Sequence, residues 1–423
     1  MYIHESPGWP DFTWDKEIVE QKEREALLNL GYLAGRFSQI GFDNKLAAEV
    51  ETMTNNVIAT FEIEGMKLNT EGVRSSVARK FGYTLSNASP YSHYIEGIVD
   101  MMVDATDDYE SPLSEQKFFN WHKKLFPENT DIKVGNWRDG EMSIVSGTLG
   151  RERVHYRAPE AKNVELEMKR FINWFNSTRP SVVKAAIAHL WFVCIHPFDD
   201  GNGRISRALS DRVMSGLSRE KRQFYSLNRK ILEKKSSYYK VLERVSRGEG
   251  DITEWLRWFL DTVEDAIIDS NTMLSQVLNK ATFWRTHAES GISDRQRMVL
   301  NTYLDGYDAK ITAKNWEKLA NVSKDTALRD IASLVDKKIL VPTPGKVRDV
   351  AYSIVINGEE HPTHFSNIKV SERKGVKFIE ADLGEMHLVD KLLEVDVKRL
   401  ADNEVSPLYL AEKYFAYALD TLD

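Results

Sequence analysis

The sequence of 423 residues contains little of what marks secreted or membrane proteins. Its one cysteine, Cys194, cannot form an internal disulfide, which favours a reducing compartment. The longest apolar run, residues 185–195, is interrupted by His189 and is too short to cross a bilayer. Residues 1–15 contain no Lys or Arg, so they lack the basic start of a secretory signal. We therefore expect a cytoplasmic protein without a membrane partner.

Repeats and low-complexity tracts are also absent, so neither a repeat array nor a largely disordered chain is expected. Hydrophobic residues make up 42% and charged residues 29%, which is ordinary for a globular protein of two or three domains. The formal net charge of −7 argues against non-specific binding of nucleic acid by the whole chain. Indications of function therefore have to come from local motifs.

The most informative motif is HPFDDGNGRISR at residues 196–207. Good helix formers and apolar residues before it predict a buried helix over residues 184–195. Pro197 disfavours the α conformation in the residue before it, so the helix should stop at His196 and leave this histidine at the mouth of a loop. Apolar residues at helical spacing then predict a second helix over residues 204–217.

The loop between these helices is suited to binding phosphate. Gly201 and Gly203 let the backbone turn tightly and bring its N–H groups close to an anion. The second helix adds the positive end of its dipole, and Arg204 and Arg207 project from neighbouring positions. An unperturbed pKa of roughly 6.5 suits His196 to general-base work near neutrality. The alternative is a core histidine, but each charged residue in a core loop would need its own partner.

This motif resembles the signature of the Fic family, His-Pro-Phe-x-Asp/Glu-Gly-Asn-Gly/Lys-Arg, at every position. The resemblance implies a mainly α fold, a Fic-type helical domain with a small β-hairpin flap. It also implies a protein adenylyltransferase that moves AMP from ATP to a Ser, Thr or Tyr hydroxyl of a target protein. In that chemistry His196 takes the proton of the hydroxyl and Asp200 holds Mg²⁺ against the phosphates. The residues implied to hold the nucleotide phosphates are Asp200, Gly201, Asn202, Gly203, Arg204 and Arg207.

A second motif, TFEIEG at residues 60–65, lies far upstream. Residues 45–63 are predicted to be helical, and Gly65 is a typical C-terminal stop. The motif resembles the family's inhibitory pattern, Ser/Thr-x-x-x-Glu-Gly/Asn, whose glutamate pairs with the second arginine of the signature. The resemblance implies that Glu64 holds Arg207 away from the γ-phosphate, so that ATP binds in an unproductive pose. The alternative is an ordinary surface glutamate at a helix end.

A β-hairpin is predicted between the two motifs, within residues 135–159. Residues 142–146 have the pattern of a short strand, and glycines mark a turn before Val154 and Tyr156. The hairpin resembles the flap with which Fic proteins bind a target as an added strand. The flap residues implied to line the target and the nucleotide are Ile144, Val145, Ser146 and Gly147. A plain surface hairpin is the alternative.

Two adjacent tyrosines, Tyr238 and Tyr239, follow the signature in the chain. They resemble the paired tyrosines that border the family's adenine pocket, where an aromatic face receives the purine ring. The alternative is ordinary packing of two tyrosines at a helix surface.

The chain changes character after this region. The predicted helices span residues 297–304, 315–321 and 324–338. Followed by a β wing, they resemble a winged helix-turn-helix module with its third helix in the recognition position. Lys324 and Arg329 could reach DNA, but the neighbouring Asp325 and Asp330 would be repelled by phosphates. Docking of a protein, or dimerisation, is therefore slightly favoured over DNA binding.

Four regions are expected along the chain. They are an N-terminal helical region with the inhibitory motif at 1–110, the Fic catalytic core at 111–290, the winged-helix-like domain at 291–356 and an acidic, partly helical extension at 357–423. Leu388, Leu392, Leu393 and Leu400 suggest an amphipathic helix in the extension. The expected ligands are ATP and Mg²⁺. The expected partner is a target protein, which includes the chain itself, and a homodimer and DNA are further candidates.

Three alternative functions stay open at this point. Some relatives with an inhibitory glutamate run the reverse reaction, removing AMP with that glutamate positioning water. A few relatives use another nucleotide-like donor. The third alternative is of another class, a DNA-binding regulator in which the Fic fold only senses nucleotide. Transfer of label from the α-phosphate of ATP to protein would separate AMP transfer from this regulator.

Overall fold

The structure is a computed structural model of the chain. It describes residues 1–38, 40, 42–83, 85, 92–127, 131–146, 153–218, 220–304, 307, 309–343, 350–356, 366–373, 376–383, 386–392, 397, 400 and 411. The chain forms two compact units, residues 1–271 and 272–423. The finer division into four regions stays a prediction.

The first unit is built mainly from helices, as the sequence predicts. Its helices are α1 (Lys16–Ser38), α2 (Phe42–Ile63), α3 (Thr70–Phe81), α4 (His93–Asp107), α5 (Glu115–Leu125), α6 (Val164–Ser177), α7 (Val182–Ile195), α8 (Asn202–Ser218), α9 (Leu227–Glu233) and α10 (Lys235–Ser246), and α11 (Thr253–Thr286) begins in it. An antiparallel hairpin joins β1 (Ser143–Ser146) to β2 (Arg153–Arg157). Within the described residues, no helix combines the length and the apolar character needed to span a bilayer.

Helix α7 packs against α1, α6 and α8 and carries the site at its C-terminal end. The side chain of Ser181 caps its first turn by accepting the N–H of Lys184. Almost the whole length of the helix is buried. It ends at Ile195 because Pro197 disfavours a further helical residue. The predicted helix over residues 184–195 is thus confirmed, with two more residues at its start.

Helix α2 carries the second motif at its C-terminal end. It ends at Ile63, and Gly65 follows in the left-handed conformation with φ of 78°. The N–H of Gly65 turns back to the carbonyl of Glu62, which closes the helix end. The predicted helix and its glycine stop are confirmed, and Glu64 lies between them.

The predicted hairpin is also confirmed. Ile144 pairs with Tyr156 and Val145 with Val154, with a register shift between the two pairs. Tyr156 is buried, whereas Ile144 and Val145 are exposed. Gly147, which is predicted to line the site, lies outside the described residues.

The second unit contains α12 (Asp294–Leu304), α13 (Ala313–Ala320) and α14 (Lys324–Asp336), followed by the antiparallel strands β3 (Leu340–Pro342) and β4 (Tyr352–Ile354). Trp316, Ile331 and Leu334 are buried in a core that these elements share. The helices and the strand pair follow one another in the predicted order. Residues 344–349 of the expected wing lie outside the described residues, and assignment to the winged-helix class stays a prediction.

Asp330 has a different role from the one that the sequence suggests. Its carboxylate accepts two hydrogen bonds from Arg295, both of 2.7 Å, and one from the indole of Trp316 at 3.3 Å. The residue is buried, and a buried carboxylate needs such partners. Asp330 is therefore paired inside the unit, and the expectation that it lies beside Arg329 where DNA phosphates would repel it is wrong.

The extension contains a three-stranded antiparallel sheet of β5 (Ser366–Arg373), β6 (Val376–Leu383) and β7 (Met386–Lys391). Ile379 and Ala381 are buried, two residues apart on one face of β6. Leu388 lies on β7, so the helix predicted around it is wrong. Leu388 and Leu392 are four residues apart, which imitates helical spacing, whereas the period of two on β6 is the signal of a strand.

Candidate active site

A cavity of about 600 Å³ lies where the ends of α2 and α7, the start of α8, β1 and α10 meet. Its volume is in the range of small-molecule sites. Most residues predicted for the site line this cavity: Glu64, Ile144, Val145, His196, Asp200, Gly201, Asn202, Gly203, Arg204, Tyr238 and Tyr239. Arg207 lies next to this wall, close to Gly203 and in contact with Glu64.

His196 follows α7 in a left-handed conformation, with φ of 52°. A residue other than glycine held there stores about 1–3 kcal/mol of strain, which surrounding contacts have to offset. The Nδ1 atom of His196 lies 3.2 Å from the carbonyl oxygen of Val193. Because a carbonyl only accepts, Nδ1 carries the proton and Nε2 keeps a free lone pair.

Burial is the main influence on the charge of this histidine and lowers the pKa of His196 to about 4. The hydrogen bond to Val193 opposes this shift, and so do the carboxylates of Asp200 and Glu64. The Arg138 guanidinium lowers the pKa further. At neutral pH the imidazole is therefore uncharged, and Nε2 can accept a proton from a bound hydroxyl.

Phe198 and Asn202 fix the loop that follows. Phe198 is fully buried and stacks on His122, with ring centres 4.2 Å apart. The amide of Asn202 accepts the N–H of Phe198 at 3.0 Å and donates to its carbonyl at 2.7 Å. Helix α8 begins at Asn202, two residues before the predicted start. Since the Asn202 side chain is occupied within the loop, the groups that α8 offers an anion are the backbone N–H groups of its first turn.

Asp200 lies at the edge of the cavity with its side chain 59% exposed. One oxygen accepts the N–H of Gly201 at 2.6 Å, and the other lies 3.0 Å from Arg204 Nη2. Such a carboxylate can supply one ligand to Mg²⁺, whose shell is usually completed by phosphate oxygens and water. Among the described residues, no group of three or more His, Cys, Asp or Glu side chains could hold a metal. The exposed carboxylate of Asp200 is therefore a candidate for a single protein ligand to such a metal.

Arg204 places a fixed positive charge at the start of α8. Its buried guanidinium lies 5.2 Å from the ring centre of Phe61 and 4.8 Å from that of Phe126. Its Nε atom makes no hydrogen bond within the described part of the chain. The two rings limit the movement of the guanidinium, so its charge is preorganised beside the cavity.

Arg207 is fully buried and is held by α2. Its Nε donates to the hydroxyl of Thr60 at 2.6 Å, and its Nη2 donates to the Thr60 carbonyl at 2.8 Å. Nη2 also lies 2.7 Å from Oε1 of Glu64. Nη1 makes no hydrogen bond to any described residue. Thr60 and Glu64 of the second motif thus bind the same arginine of the signature, 143 positions after Glu64.

The two tyrosines differ in their contacts. Tyr238 is buried, and its hydroxyl lies 2.8 Å from Nε2 of His189. Tyr239 is 43% exposed, and its hydroxyl donates to the carbonyl of Ile63 at 3.2 Å. Tyr239 therefore both lines the cavity and binds the last turn of α2.

Helix α10 also holds the hairpin through its second strand. Glu243 lies 2.8 Å from Arg153 and 3.1 Å from Nδ1 of His155, and both of these residues are on β2. Arg247 donates to the carbonyl of His155 at 2.9 Å. These contacts fix β2. Strand β1 is hydrogen-bonded to β2 along one of its edges in this two-stranded sheet.

Two buried side chains that support the loop could not be predicted from the sequence, because a single sequence gives no pattern for a buried polar residue outside a motif. The Nδ1 of His122 accepts the N–H of Gly135 at 2.9 Å, and its Nε2 lies 3.1 Å from the carbonyl of Asp200. Burial lowers the pKa of His122 to about 4, so it is an uncharged bridge. The second side chain is Arg138, which donates to the carbonyl of His196.

Two regions of the chain match known protein families. Residues 112–214 match the Fic/DOC family, and residues 2–83 match a domain of unknown function, DUF4172. The first match contains α5, α6, α7, the hairpin and the loop that begins at His196, and the second contains α1, α2 and Glu64. The chain therefore carries a Fic/DOC family domain, and residues 196–207, several of which line the cavity, lie within the matched region.

Proteins named protein adenylyltransferase Fic are similar to this chain. The one from Drosophila virilis is 33% identical over 258 residues, which cover 59% of this chain and 50% of the relative. The one from Drosophila ananassae is 25% identical over 225 residues, covering 52% and 42%. The chain thus spans about half the length of the curated relatives it matches. Among solved structures, a Fic family protein from Desulfovibrio desulfuricans G20 has a TM-score of 0.47 and 18% identity, covering 80% of this chain and 97% of that one.

Proposed function

We propose that the protein is an adenylyltransferase that transfers AMP from ATP to a hydroxyl of a target protein. The observation that carries this proposal is the uncharged His196, which lines a cavity bounded by the start of α8 and by Arg204 and whose Nδ1 proton is held by Val193. A base beside an anion-binding helix start is suited to nucleophilic attack on a phosphate. The name of the Drosophila relatives, protein adenylyltransferase Fic, supports the same activity.

In the proposed reaction, Nε2 of His196 accepts the proton of the target hydroxyl while the hydroxyl oxygen attacks the α-phosphorus of ATP. The bond from the α-phosphorus to the oxygen that bridges to the β-phosphorus breaks, and pyrophosphate leaves with that electron pair. The target oxygen ends in a phosphodiester with AMP. The hydrogen bond from Nδ1 to Val193 keeps the imidazole in the tautomer that this step needs.

The phosphates would be held at the start of α8. The backbone N–H groups of its first turn would bind phosphate oxygens, and Arg204 would add a fixed charge. Asp200 would hold Mg²⁺, which supplies further neutralisation of phosphate charge when bound. The exposed ring of Tyr239 would offer a face to the adenine.

The target would bind along β1. Ile144 and Val145 are 37% and 49% exposed on this strand. An extended segment that pairs with β1 through main-chain hydrogen bonds would bring a hydroxyl to the cavity that His196 lines. Because such pairing reads the main chain, the expected target is an extended segment that bears a Ser, Thr or Tyr, on another protein or on the chain itself.

We further propose that α2 keeps this site inhibited. Thr60 and Glu64 both bind Arg207, so this arginine is not available to the γ-phosphate. ATP would then enter in a pose that does not present its α-phosphorus for attack. Withdrawal of Glu64 would free one N–H of Arg207 Nη2 for the γ-phosphate, while the other stays on the Thr60 carbonyl, and would allow the productive pose.

Removal of AMP is the second candidate function, and one contact favours it. The Glu64 carboxylate lines the cavity and is 30% exposed, so it could position a water molecule as well as bind Arg207. Under this alternative, Glu64 would be required for activity, whereas under the first proposal its loss increases activity. DNA binding, a homodimer and a cytoplasmic location stay predictions from the sequence.

The test uses ATP labelled in its α-phosphate and, in parallel, ATP labelled in its γ-phosphate. We expect the purified chain to transfer the α label to protein and to leave the γ label in pyrophosphate. Mass spectrometry should then find a mass increase of one AMP on hydroxyl-bearing peptides. Transfer of the γ label would indicate phosphorylation and contradict the proposal, as would the absence of protein labelling from both wild type and Glu64→Gly.

A further inference from the structure

One residue outside the signature binds three successive carbonyls around His196. Nε of Arg138 donates to the carbonyl of His196 at 2.7 Å, and Nη2 donates to that of Ile195 at 3.4 Å. The backbone N–H of Arg138 donates to the carbonyl of Pro197 at 2.9 Å. Carbonyls at the end of a helix lack intrahelical partners, and a cation there is favourable for the helix dipole. Arg138 thus holds the backbone where His196 has its left-handed conformation.

The same guanidinium binds both ends of the hairpin. Nη1 donates to the carbonyl of Gly140 at 2.8 Å, and Nη2 donates to that of Pro159 at 2.6 Å. Gly140 lies just before β1 and Pro159 just after β2. Arg138 therefore connects the histidine to the strand that is proposed to bind the target.

The chemistry of arginine fits this role. Arg138 is only 3% exposed, and its side-chain hydrogen bonds among the described residues all go to backbone carbonyls. A planar guanidinium has five donors in fixed directions, whereas an ammonium group has three at a single point. Lysine at this position could not reach carbonyls on both the hairpin and α7.

We infer that Arg138 is a positioning residue for AMP transfer, which directs Nε2 of His196 into the cavity and fixes the hairpin relative to it. This inference rests on the proposed function. Arg138 does not line the cavity in the described structure, so it acts through His196 and the hairpin and not on the nucleotide. Its loss should lower the rate of transfer and leave ATP affinity nearly unchanged.

The charge of Arg138 gives a second way to observe this role. The charged groups that face His196 are Arg138 before the hairpin, Asp200 in the loop and Glu64 after α2. Arg138 lowers the pKa of His196, whereas the two carboxylates raise it. A neutral side chain in place of Arg138 should therefore raise the pKa of His196.

Arg212 provides a matched control. It is also buried, and its guanidinium also donates to backbone carbonyls, those of Ala105 and Ser111. It does not line the cavity. Arg212→Lys and Arg212→Met therefore impose a similar loss of buried hydrogen bonds without touching His196 or the hairpin.

The experiment compares Arg138→Lys and Arg138→Met with the two Arg212 variants, all in the full chain carrying Glu64→Gly. We expect the Arg138 variants to lose at least about 30-fold in AMP transfer per folded molecule, because small misplacements of a reacting group are costly. Their ATP affinity, measured by calorimetry, should stay within about 3-fold, as expected for a residue that acts on the chemical step. Equal losses of transfer in the Arg138 and Arg212 variants would overturn the inference.

An NMR titration of the His196 imidazole completes the test without depending on activity. We expect the pKa of His196 to rise in Arg138→Met and to stay unchanged in Arg212→Met. If the Glu64→Gly parent transfers no AMP, the proposed function fails, and this titration still decides whether Arg138 controls His196. An unchanged titration in Arg138→Met overturns the inference, and Arg138→Gln, which is also uncharged, serves where the Met variant does not fold.

Discussion

Glu64 occupies the space that a side chain on Gly203 would need. A Cβ atom on Gly203 would overlap Oε1 of Glu64 and lie 3.2 Å from Nη1 of Arg207. Gly203 is therefore the residue of the signature that lets the carboxylate reach the start of α8. The missing side chain would also let a phosphate oxygen approach the backbone, so a phosphate and the carboxylate would compete for one place.

The closeness of Gly203 and Glu64 predicts that the effect of Gly203→Ala on the free energy of unfolding depends on whether Glu64 is present. Alanine is favoured over glycine within a helix by up to about 1 kcal/mol, so Gly203→Ala should stabilise the chain when Glu64 is replaced by glycine. In the wild type, the Cβ displaces Glu64 from Arg207, and the gain should disappear or reverse. Urea denaturation of the wild type, of Gly203→Ala, of Glu64→Gly and of the double variant checks this prediction. Gly35→Ala is the control, because a Cβ on Gly35 meets no atom within 4 Å and should have the same effect in both backgrounds.

Replacement of His196 should separate chemistry from binding. His196→Ala should lower AMP transfer by about 10²–10⁴-fold, the usual contribution of a general base, and leave ATP affinity nearly unchanged. The pH dependence follows from the direction of the pKa shift. The base must be uncharged, so activity is lost as pH falls through the pKa of His196, about 4 in the free protein, and not near 6.5. A dependence of kcat/KM with an acid limb near 6.5, at constant folded fraction, would contradict the assignment.

Asp200 and its neighbour Asp199 offer a paired test of the metal ligand. Asp200 is exposed at the cavity edge, whereas Asp199 accepts the N–H of Lys133 at 3.0 Å. Mg²⁺ should strengthen nucleotide binding in the wild type and in Asp199→Ala but not in Asp200→Ala. Calorimetric titrations with and without Mg²⁺ measure this difference. The same Mg²⁺ response in Asp200→Ala as in the wild type would remove Asp200 from its proposed role.

The sequence predicts those features that depend on local chemistry. Pro197 fixes the end of α7, and Gly65 fixes the end of α2. The pairing of Glu64 with Arg207 is not a local property, and it could be anticipated only through a resemblance. The structure shows in addition that the hydroxyl and the carbonyl of Thr60 bind the guanidinium of Arg207.

The remaining site residues could not be predicted because their roles depend on tertiary contacts. Arg138 is one basic residue among 57 in the sequence, and only the fold brings the carbonyls of His196 and Pro159 to it. Tyr238 and Tyr239 form a pair in sequence, yet Tyr238 is buried against His189, whereas Tyr239 is partly exposed and binds the end of α2. A helix places adjacent side chains about 100° apart, so adjacent residues seldom share an environment.

The contact between Tyr239 and α2 predicts a link between the cavity wall and inhibition. Tyr239→Phe removes the hydroxyl that binds the Ile63 carbonyl but keeps the ring that would face adenine. We expect AMP transfer to rise by about 2- to 5-fold, because a neutral hydrogen bond contributes only about 1 kcal/mol. Lys235 still holds the neighbouring carbonyl of Glu62, which limits the effect. Unchanged or reduced transfer would show that this hydrogen bond does not restrain α2.

Tyr238→Phe should behave differently. It removes the tyrosine hydroxyl 2.8 Å from the buried Nε2 of His189, which keeps the more distant Ser206 hydroxyl at 3.4 Å. A hydrogen bond contributes about 0.5–1.5 kcal/mol, so this variant should lose stability by about that amount in denaturant titrations. A fully stable Tyr238→Phe would contradict the structural role given to this hydroxyl.

The contact between Glu64 and Arg207 makes the strongest prediction, because it joins two motifs that lie far apart in the chain. If Glu64 withholds Arg207 from the γ-phosphate, Glu64→Gly should increase AMP transfer several-fold or more. The increase needs the arginine, so Glu64→Gly combined with Arg207→Ala should return to low activity. The two changes should be strongly non-additive, as expected for groups in direct contact at 2.7 Å.

Glu62→Gly is the matched control for this cycle. It removes a carboxylate and adds a glycine to the same turn. It leaves the hydrogen bonds of Arg207 intact, because these go to Thr60 and Glu64. Labelling should therefore stay near the wild-type level in Glu62→Gly. Equal activation by both glycine variants would mean that loosening of α2, and not release of Arg207, activates transfer. Loss of an AMP-removing activity in Glu64→Gly, without a gain in transfer, would instead favour the reverse reaction, because only that reaction requires the carboxylate.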